Sequence, residues 1–343
     1  MIGEELRRLL DPSRLGSGEV RRVFDALVRP AADEADRVAI LVALASRRSD
    51  PGELVAFARE MRRRARPFAV PPSHRPIDLC GSGGAPSPSF NVSTVAAFVV
   101  RSAGVRVVKH GNRSRRVCGS SDLLEALGLP VTSSPAFARA AYDRLGITFL
   151  HAPLFHPATA AVAPARQRLG IPTVFNRLGP LSNPARVRRQ VSGAANARAA
   201  DEVATVLRAL GVDRGISMAS DDGCDEFSPA RPTTIVLWNR AGRRRLRIRP
   251  ERYLPPEDRA GDWGALPAPG ARDETERILA GGGGARRGSV LLTAGAALFV
   301  AGRAPTLSDG VEQARDALDR GAPERLLADM RRLARPYRSR GGA

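Results

Sequence analysis

Three short stretches set reactive side chains beside glycine. In Gly81-Ser82-Gly83-Gly84, after the apolar run IDLC, the missing side chains let backbone N–H groups approach an anion, and a helix starting near Ser93 adds its positive end. In VVKHGNRSRRVCGSSD, Lys109, His110, Asn112 and Arg113 are expected to leave a strand together, and Gly119-Ser120-Ser121-Asp122 to open a helix. In SDDGCDEFS, the adjacent carboxylates Asp225 and Glu226 follow a strand. Hard oxygen ligands on a loop suit Mg2+ bound jointly with substrate phosphates. Together the stretches form a kit for gripping a phosphorylated ligand and its metal. Each alone has a plainer reading: a glycine cluster is commonly a tight turn, an Asp-Glu pair a solvated loop, and KHGN a polar stretch of surface.

Such loops bind ligands when they lie at the carboxyl ends of parallel strands, where helices begin. From Ile77 the sequence predicts that arrangement: strand IDLC, a helix through STVAAFVVRSAG, strand VRVV, a helix at SDLLEALG and strand ITFL. A helix in AADEVATVLRALG, strands GISMA and TTIVLW, a glycine-rich loop AGGGGARRG and two closing helices follow, and the basic tail RRLARPYRSRGGA reads as frayed. Before Ile77 the chain reads as helices. Val20, Val23, Phe24, Leu27 and Val28 recur at helical spacing up to Pro30, a second apolar segment runs from Val38 to Leu44, and Asp50-Pro51 with Glu53 predicts a capped helix start. The proline-rich RPFAVPPSHRP between the two regions marks a domain boundary. The expected fold class is α/β: a small α-helical domain plus a larger α/β domain with a mostly parallel central sheet.

Composition sets the bounds. A chain of 343 residues with 43% hydrophobic content can bury a real core and suggests two domains. Its net charge of +19 suits nucleic acid, acidic lipid or a phosphorylated substrate. Of 54 basic residues only Lys109 is lysine, a skew that reads as the codon bias of a GC-rich genome and makes much of the basicity uninformative. The single lysine gains meaning by the same logic, since arginine is a poor stand-in where a compact point charge is wanted. Cys80, Cys118 and Cys224 form no CxxC pair and read as small space-filling residues. The charged N-terminus MIGEELRRLLDPSRLG has no signal-like apolar region, and no apolar run is long enough for a bilayer, so a cytoplasmic protein is expected.

FNVST, VVKHGNRS, GSSDLLEALG, FHPATAAVAPARQRLGIPTVFNRLGPLSNPA and DDGCDE, in this order and spacing, resemble the anthranilate phosphoribosyltransferase family of tryptophan biosynthesis. The resemblance runs from the N-terminal helices to LSDGVEQARDALDRG. It implies a nucleoside phosphorylase/phosphoribosyltransferase-like fold and a homodimer. It also implies a helical domain of residues 1–72 joined by a mid-chain segment of about 160–190, and an α/β domain of residues 73–159 and 191–343. The implied activity is Mg2+-dependent transfer of a phosphoribosyl group from phosphoribosyl pyrophosphate to the amine of anthranilate, releasing pyrophosphate. By motif position, Gly81, Ser82, Gly83, Gly84, Asn91, Ser93, Thr94, Lys109, Ser120 and Ser121 would bind the donor, and Ser93, Asp225 and Glu226 would ligate magnesium. His110, Asn112, His156 and Arg166 would face the acceptor, with Lys109, Asn112 and Arg166 at the reacting centre. By residue type alone, Arg166 in ARQRLG reads as a solvated helix arginine.

Pyrophosphate leaving the anomeric carbon leaves cationic character on the ribose, so the task is to stabilise the anion and position the amine. No strong base is required, because an aromatic amine is already a neutral nucleophile, and an arginine fork suits a benzoate carboxylate. The sequence departs from the family at Ala85, where an acidic residue is usual, and at a second loop one residue shorter that carries Arg115 and Arg116. Thr159 replaces an aromatic residue and Arg177 an apolar one. These changes keep open a related aromatic amine or benzoate as acceptor. A nucleoside phosphorylase shares the overall fold, although KHGN and FNRLGPLSNP argue against it. The charge, Arg115, Arg116 and the RRRLRIR run at Arg243 to Arg249 motivate a non-catalytic nucleic-acid-binding relative, a footprint without a reading element.

Overall fold

The structure, a computed structural model, describes residues 2–47, 50–82, 87, 89–114 and 117–338. It opens with four helices, α1 (Gly3–Leu10), α2 (Ser17–Val28), α3 (Glu34–Ser46) and α4 (Pro51–Arg63). Asp50 caps α4 as expected, accepting from Glu53 N at 2.9 Å. The Glu53 carboxylate does not return to the cap. It is buried, accepts from Leu15 N at 2.7 Å and pairs with Arg47 at 2.9 Å, because an interior carboxylate goes to the nearest unsatisfied donors.

The larger region alternates as the pattern requires. In chain order it holds β1 (Ile77–Cys80), α5 (Val92–Ser102), β2 (Val107–Gly111), α6 (Ser120–Ala126), α7 (Pro135–Leu145) and β3 (Ile147–His151). Three short helices follow, α8 (Ala152–Phe155), α9 (Ala163–Leu169) and α10 (Val174–Leu178), then β4 (Arg189–Gly193), α11 (Ala197–Ala209), β5 (Arg214–Ser220), β6 (Thr233–Asn239) and β7 (Gly242–Ile248). The chain closes with α12 (Ala268–Leu279), α13 (Ala285–Ala301), α14 (Leu307–Asp319) and α15 (Ala322–Arg338).

The strands form one sheet in the order β3-β2-β1-β4-β5-β6-β7, parallel from β3 to β5 and antiparallel at β6 and β7. After β3 the chain returns to the far side of β1, so strand order reverses between β1 and β4. Loops leaving those two strands diverge and open a crevice at their carboxyl ends. Helices α5 and α13 pack together on the sheet, and α13 is apolar on nearly every side because every side is covered. A second core joins α2, α3 and α4 to Val162, Ala165, Phe175, Leu178 and Leu181 of the mid-chain helices, with Phe24 and Phe175 rings 6.0 Å apart.

Several expectations are corrected. The strand read at VRVV lies two residues later and continues to Gly111, so Lys109 and His110 are inside it, buried, and only Asn112 and Arg113 leave it. Helices α7 and α12 were not expected, and three helices, not two, follow the glycine-rich loop. The tail is helical to Arg338 because it has partners: Tyr337 packs 5.7 Å from Phe137, and Arg338 donates to Gly128 O. RRRLRIR forms an edge strand, with Arg243 donating to Thr205 at 2.6 Å and Arg245 and Arg247 pairing with Asp201 and Asp221. Among the described residues, no helix is long and apolar enough to cross a membrane.

Candidate active site

The first and third loops interlock across the crevice. Asp225, just beyond β5, accepts from Ser82 N and from Ser82 Oγ at 2.8 Å, while Ser87 donates through N to Gly223 O at 3.3 Å and through Oγ to Asp222 O at 3.1 Å. The Ser82 N–H, expected to face an anion, thus meets a carboxylate here. Gly83, Gly84 and Ala85 lie outside the described residues, as do Arg115 and Arg116.

Glu226 reaches the start of α5, where Oε1 accepts from Ser93 N at 3.3 Å, while Oε2 is buried without a hydrogen-bond partner among the described residues. Burial, reinforced by the neighbouring Asp225 charge, pushes the Glu226 carboxyl up to about 8 against the pull of Lys109. Lys109, 3% exposed, donates to Leu79 O and to Ser93 Oγ at 3.1 Å. Lys109, Ser93 and Glu226 therefore form one buried group drawn from β2, α5 and the β5 loop. Thr94, the next α5 residue, is fully buried. Among the described residues, no group of three or more His, Cys, Asp or Glu could hold a metal. The hard oxygens of Ser93, Asp225 and Glu226, with one carboxylate oxygen unsatisfied, fit a hard cation that takes its other ligands from a bound phosphate.

The second loop folds onto itself. Asn91 ties it to the first by donating to Cys118 O at 3.1 Å. Asn112 O accepts from Ser121 N and Ser120 Oγ, both at 3.2 Å, and Asp122 caps α6 by accepting from Gly119 N and Ser114 N. Arg113 pairs with Asp122 and Glu125. Ser120 stays at the surface of the loop, whereas the Ser121 hydroxyl turns inward, 2.8 Å from His151 Nδ1 at the end of β3.

On the other flank two buried imidazoles meet edge to face, His110 from β2 and His156 after α8, with ring centroids 5.0 Å apart. His110 Nδ1 lies 3.2 Å from Gly179 O, and its Nε2 is buried without a partner among the described residues. Both His156 ring nitrogens are buried without a hydrogen-bond partner among the described residues. Burial holds both rings neutral, at about 3 for His110, where the His156 charge adds to the effect, and about 4 for His156. Arg166, on α9, engages α10: its guanidinium stacks over the Phe175 ring at 5.3 Å and donates to Asn176 Oδ1 at 3.4 Å. Two of the departures acquire local partners, Thr159 donating to His156 O at 2.7 Å and Arg177 pairing with Glu202 of α11.

Sequence reasoning missed the polar lock beneath these groups. Asp78, 1% exposed on β1, accepts from His110 N at 3.2 Å and from Asn183 Nδ2 at 2.8 Å, and Asn183 also donates to Val108 O. Burial raises the Asp78 carboxyl to about 6 against the opposing pull of Lys109. Gln190 of β4 donates to Pro180 O at 2.6 Å, so the segment carrying Gly179 to Asn183 is pinned to the sheet from both sides of the strand reversal. The signal was an acid inside an otherwise apolar strand. Gly193 was missed too: a Cβ there would lie 1.9 Å from Asp225 O, so β4 must end in glycine for the acidic loop to cross it.

Residues 73–323 match the family described as "Glycosyl transferase family, a/b domain", and residues 4–65 match its helical bundle domain. The anthranilate phosphoribosyltransferase of Rubrobacter xylanophilus is 38% identical over 99% of this chain and 100% of its own length. The crystal structure of anthranilate phosphoribosyltransferase from Thermus thermophilus superposes with a TM-score of 0.85 at 33% identity, covering 96% of this chain and 99% of that one. The Saccharomyces cerevisiae enzyme in complex with PRPP and Mg has the same fold, with a TM-score of 0.82 at 23% identity over 98% of each chain. With its helical bundle, its α/β crevice and relatives alike over their full length, the chain belongs to the anthranilate phosphoribosyltransferase family.

Proposed function

We propose that this chain transfers the phosphoribosyl group of phosphoribosyl pyrophosphate to the amine of anthranilate and releases pyrophosphate. The observation that carries the reading is the convergence of Ser93, Lys109 and Glu226, with one carboxylate oxygen orphaned among the described residues, at the crevice beside the strand reversal. The Gly81–Gly84 stretch, Asn91, Thr94, Ser120 and the loop containing Ser121 border the donor in this proposal. Ser93, Asp225 and Glu226 would hold Mg2+, as their oxygen donors suit, and the yeast relative of the same fold offers a precedent. When bound, magnesium supplies charge neutralisation to the departing pyrophosphate. Lys109 supplies a fixed buried positive charge on the same side, held by Leu79 O and Ser93 Oγ and therefore needing no reorganisation.

On the acceptor side, His110 and His156 present neutral rings against which an aromatic acid packs. Asn112 stands at the loop between the two flanks, and Arg166 offers the fork for a carboxylate. A neutral His110 is poorly suited to protonate the acceptor amine, which must stay uncharged to attack. The two-domain division is part of the same proposal, supported by the core that residues 162–181 share with the N-terminal helices. So are a cytoplasmic location and a homodimer, for which Leu10, Val42 and Ile171 supply exposed apolar contacts on or beside α1, α3 and α9, which pack side by side. The pairing of Arg177 with Glu202 gives that departure a local explanation, so it gives no support to a different acceptor. The nucleic-acid reading loses support, since arginines of β7 are paired to Asp201 and Asp221.

The test is loss of anthranilate fluorescence on adding phosphoribosyl pyrophosphate and Mg2+. Turnover requiring all three components supports the proposal. No turnover with anthranilate, but turnover with another aminobenzoate, would replace the acceptor and keep the donor chemistry.

A further inference from the structure

We infer that the first turn of α13, Arg286-Arg287-Gly288-Ser289, is a positioning element that fixes the two walls of the donor crevice relative to each other. The inference rests on the proposed donor reading and concerns residues outside every motif that suggested it.

One wall is the Asp225-Glu226 loop. The Ser289 hydroxyl donates to Phe227 O at 2.6 Å, with both residues fully buried, so the residue directly after Glu226 is tied to α13. The other wall is the Phe90–Ser93 segment. Arg286 donates to Asp262 Oδ2 at 2.5 Å and to Gly264 O at 3.2 Å, and its guanidinium lies 6.0 Å from the Phe90 ring centroid. Gly264 bridges Ser89 in antiparallel fashion, and Trp263 O accepts from Phe90 N at 3.2 Å, directly before Asn91. Adjacent residues of one helical turn thus reach both walls.

The excursion between β7 and α12 that carries these contacts is anchored by the same turn. Arg287 donates to Asp258 Oδ2 at 2.6 Å and to Asp319 Oδ1 at 2.7 Å, and Arg315 reaches the same Asp258 oxygen at 3.3 Å. Asp258 is 1% exposed, and removing a guanidinium partner from a buried carboxylate is strongly destabilising. Gly288 lets the excursion seat: a Cβ there would stand 1.9 Å from Asp258 O. Helix α13 is buried along almost its whole length, which makes its first turn a rigid reference. Groups that orient the ligands of a metal site, as this turn orients Ser93 and Glu226 in the proposed magnesium site, typically change metal affinity or activity by about 10- to 100-fold when removed.

The experiment is calorimetric titration of the full chain with phosphoribosyl pyrophosphate at fixed Mg2+ and no acceptor, alongside steady-state kinetics. Ser289→Ala and Arg286→Gln should each raise the donor Kd about tenfold, with the anthranilate KM within about twofold of wild type. Arg332→Gln, which breaks an exposed pair with Asp329 on α15, should leave donor binding unchanged. The inference is overturned if the wild type binds donor and both α13 variants bind it equally well, even with a lowered melting temperature. A wild-type protein that binds no donor removes the donor reading, and this inference with it.

Discussion

The two flanks of the crevice are built differently. On the proposed donor flank, side chains from β2, α5 and the loops after β1 and β5 satisfy one another, and among the described residues one carboxylate oxygen, Glu226 Oε2, is left over. On the proposed acceptor flank, three buried imidazole nitrogens of His110 and His156 lack hydrogen-bond partners among the described residues, and the rings are held by packing and by the contact of His110 Nδ1 with Gly179 O. An unsatisfied buried polar atom costs about 1–3 kcal/mol. The donor flank is therefore preorganised by its own bonds, whereas the acceptor flank retains bonding capacity at a cost in stability. If that contrast holds, substitutions on the two flanks should separate into distinct kinetic classes.

The largest effect is expected from Glu226→Ala, which removes the buried carboxylate between Ser93 and Asp225. We expect kcat/KM to fall about a hundredfold or more, with raised Mg2+ not restoring the rate. Progress curves of anthranilate fluorescence over a range of Mg2+ concentrations measure this, and a rate within about twofold of wild type would dissolve the metal assignment. Arg166→Ala should act on the other flank alone. Losing a charge-assisted contact to a carboxylate predicts an anthranilate KM raised about ten- to a hundredfold, with donor KM little changed. Equal effects on both substrates would show that Arg166 serves the helical packing around Phe175.

Asn183→Ala should sharpen the contrast by loosening what lies beneath both flanks. It leaves Asp78 Oδ2 and Val108 O without their donor, at an expected loss of about 1–3 kcal/mol in urea unfolding. Because Asp78 also accepts from His110 N, both KM values should rise modestly and together. A shift in only one would place Asn183 on a single flank.

The donor flank was more legible in the sequence than the acceptor flank, for physical reasons. Glycine, serine and adjacent acids directly after apolar strands announce anion and metal chemistry, because their strand and helix neighbours are local. Asp50 at the start of α4 was readable in the same way. The inward turn of Ser121 was not, since it depends on His151, 30 residues away on a neighbouring strand. Nor was the Asp78–Asn183 pair, separated by 105 residues and joined only once the sheet forms. The strand boundary at Val107–Gly111 misled because a buried parallel strand tolerates Lys109 and His110 when partners await them, and a hydrophobic pattern stops at the first polar residue. Resemblance supplied Arg166 and His156, which residue type alone would have left on a helix surface and in a turn.

The smallest expected effect is on the pH dependence of stability, where Asp78 and His110, bonded through the backbone, should pull in opposite directions. His110 is held at about 3 in the folded protein against an ordinary 6.5, chiefly by burial. The unfolded chain binds a proton that the folded one refuses, so this group's contribution is intact above pH 6.5 and lost as pH falls below it. Asp78 is raised to about 6 from 3.8, again by burial. The folded protein takes up that proton first, so stability is gained as pH falls through 6 toward 4. Urea midpoints for His110→Asn and Asp78→Asn, each taken as a difference from wild type between pH 7 and pH 4.5 without metal, should therefore slope oppositely. His110→Asn should gain on wild type as the solution is acidified, because the refused proton is gone. Asp78→Asn should lose ground, because the neutral side chain has no proton left to take up. Parallel slopes would mean that the two groups titrate as exposed side chains do, and the buried polar lock beneath the crevice would have to be abandoned.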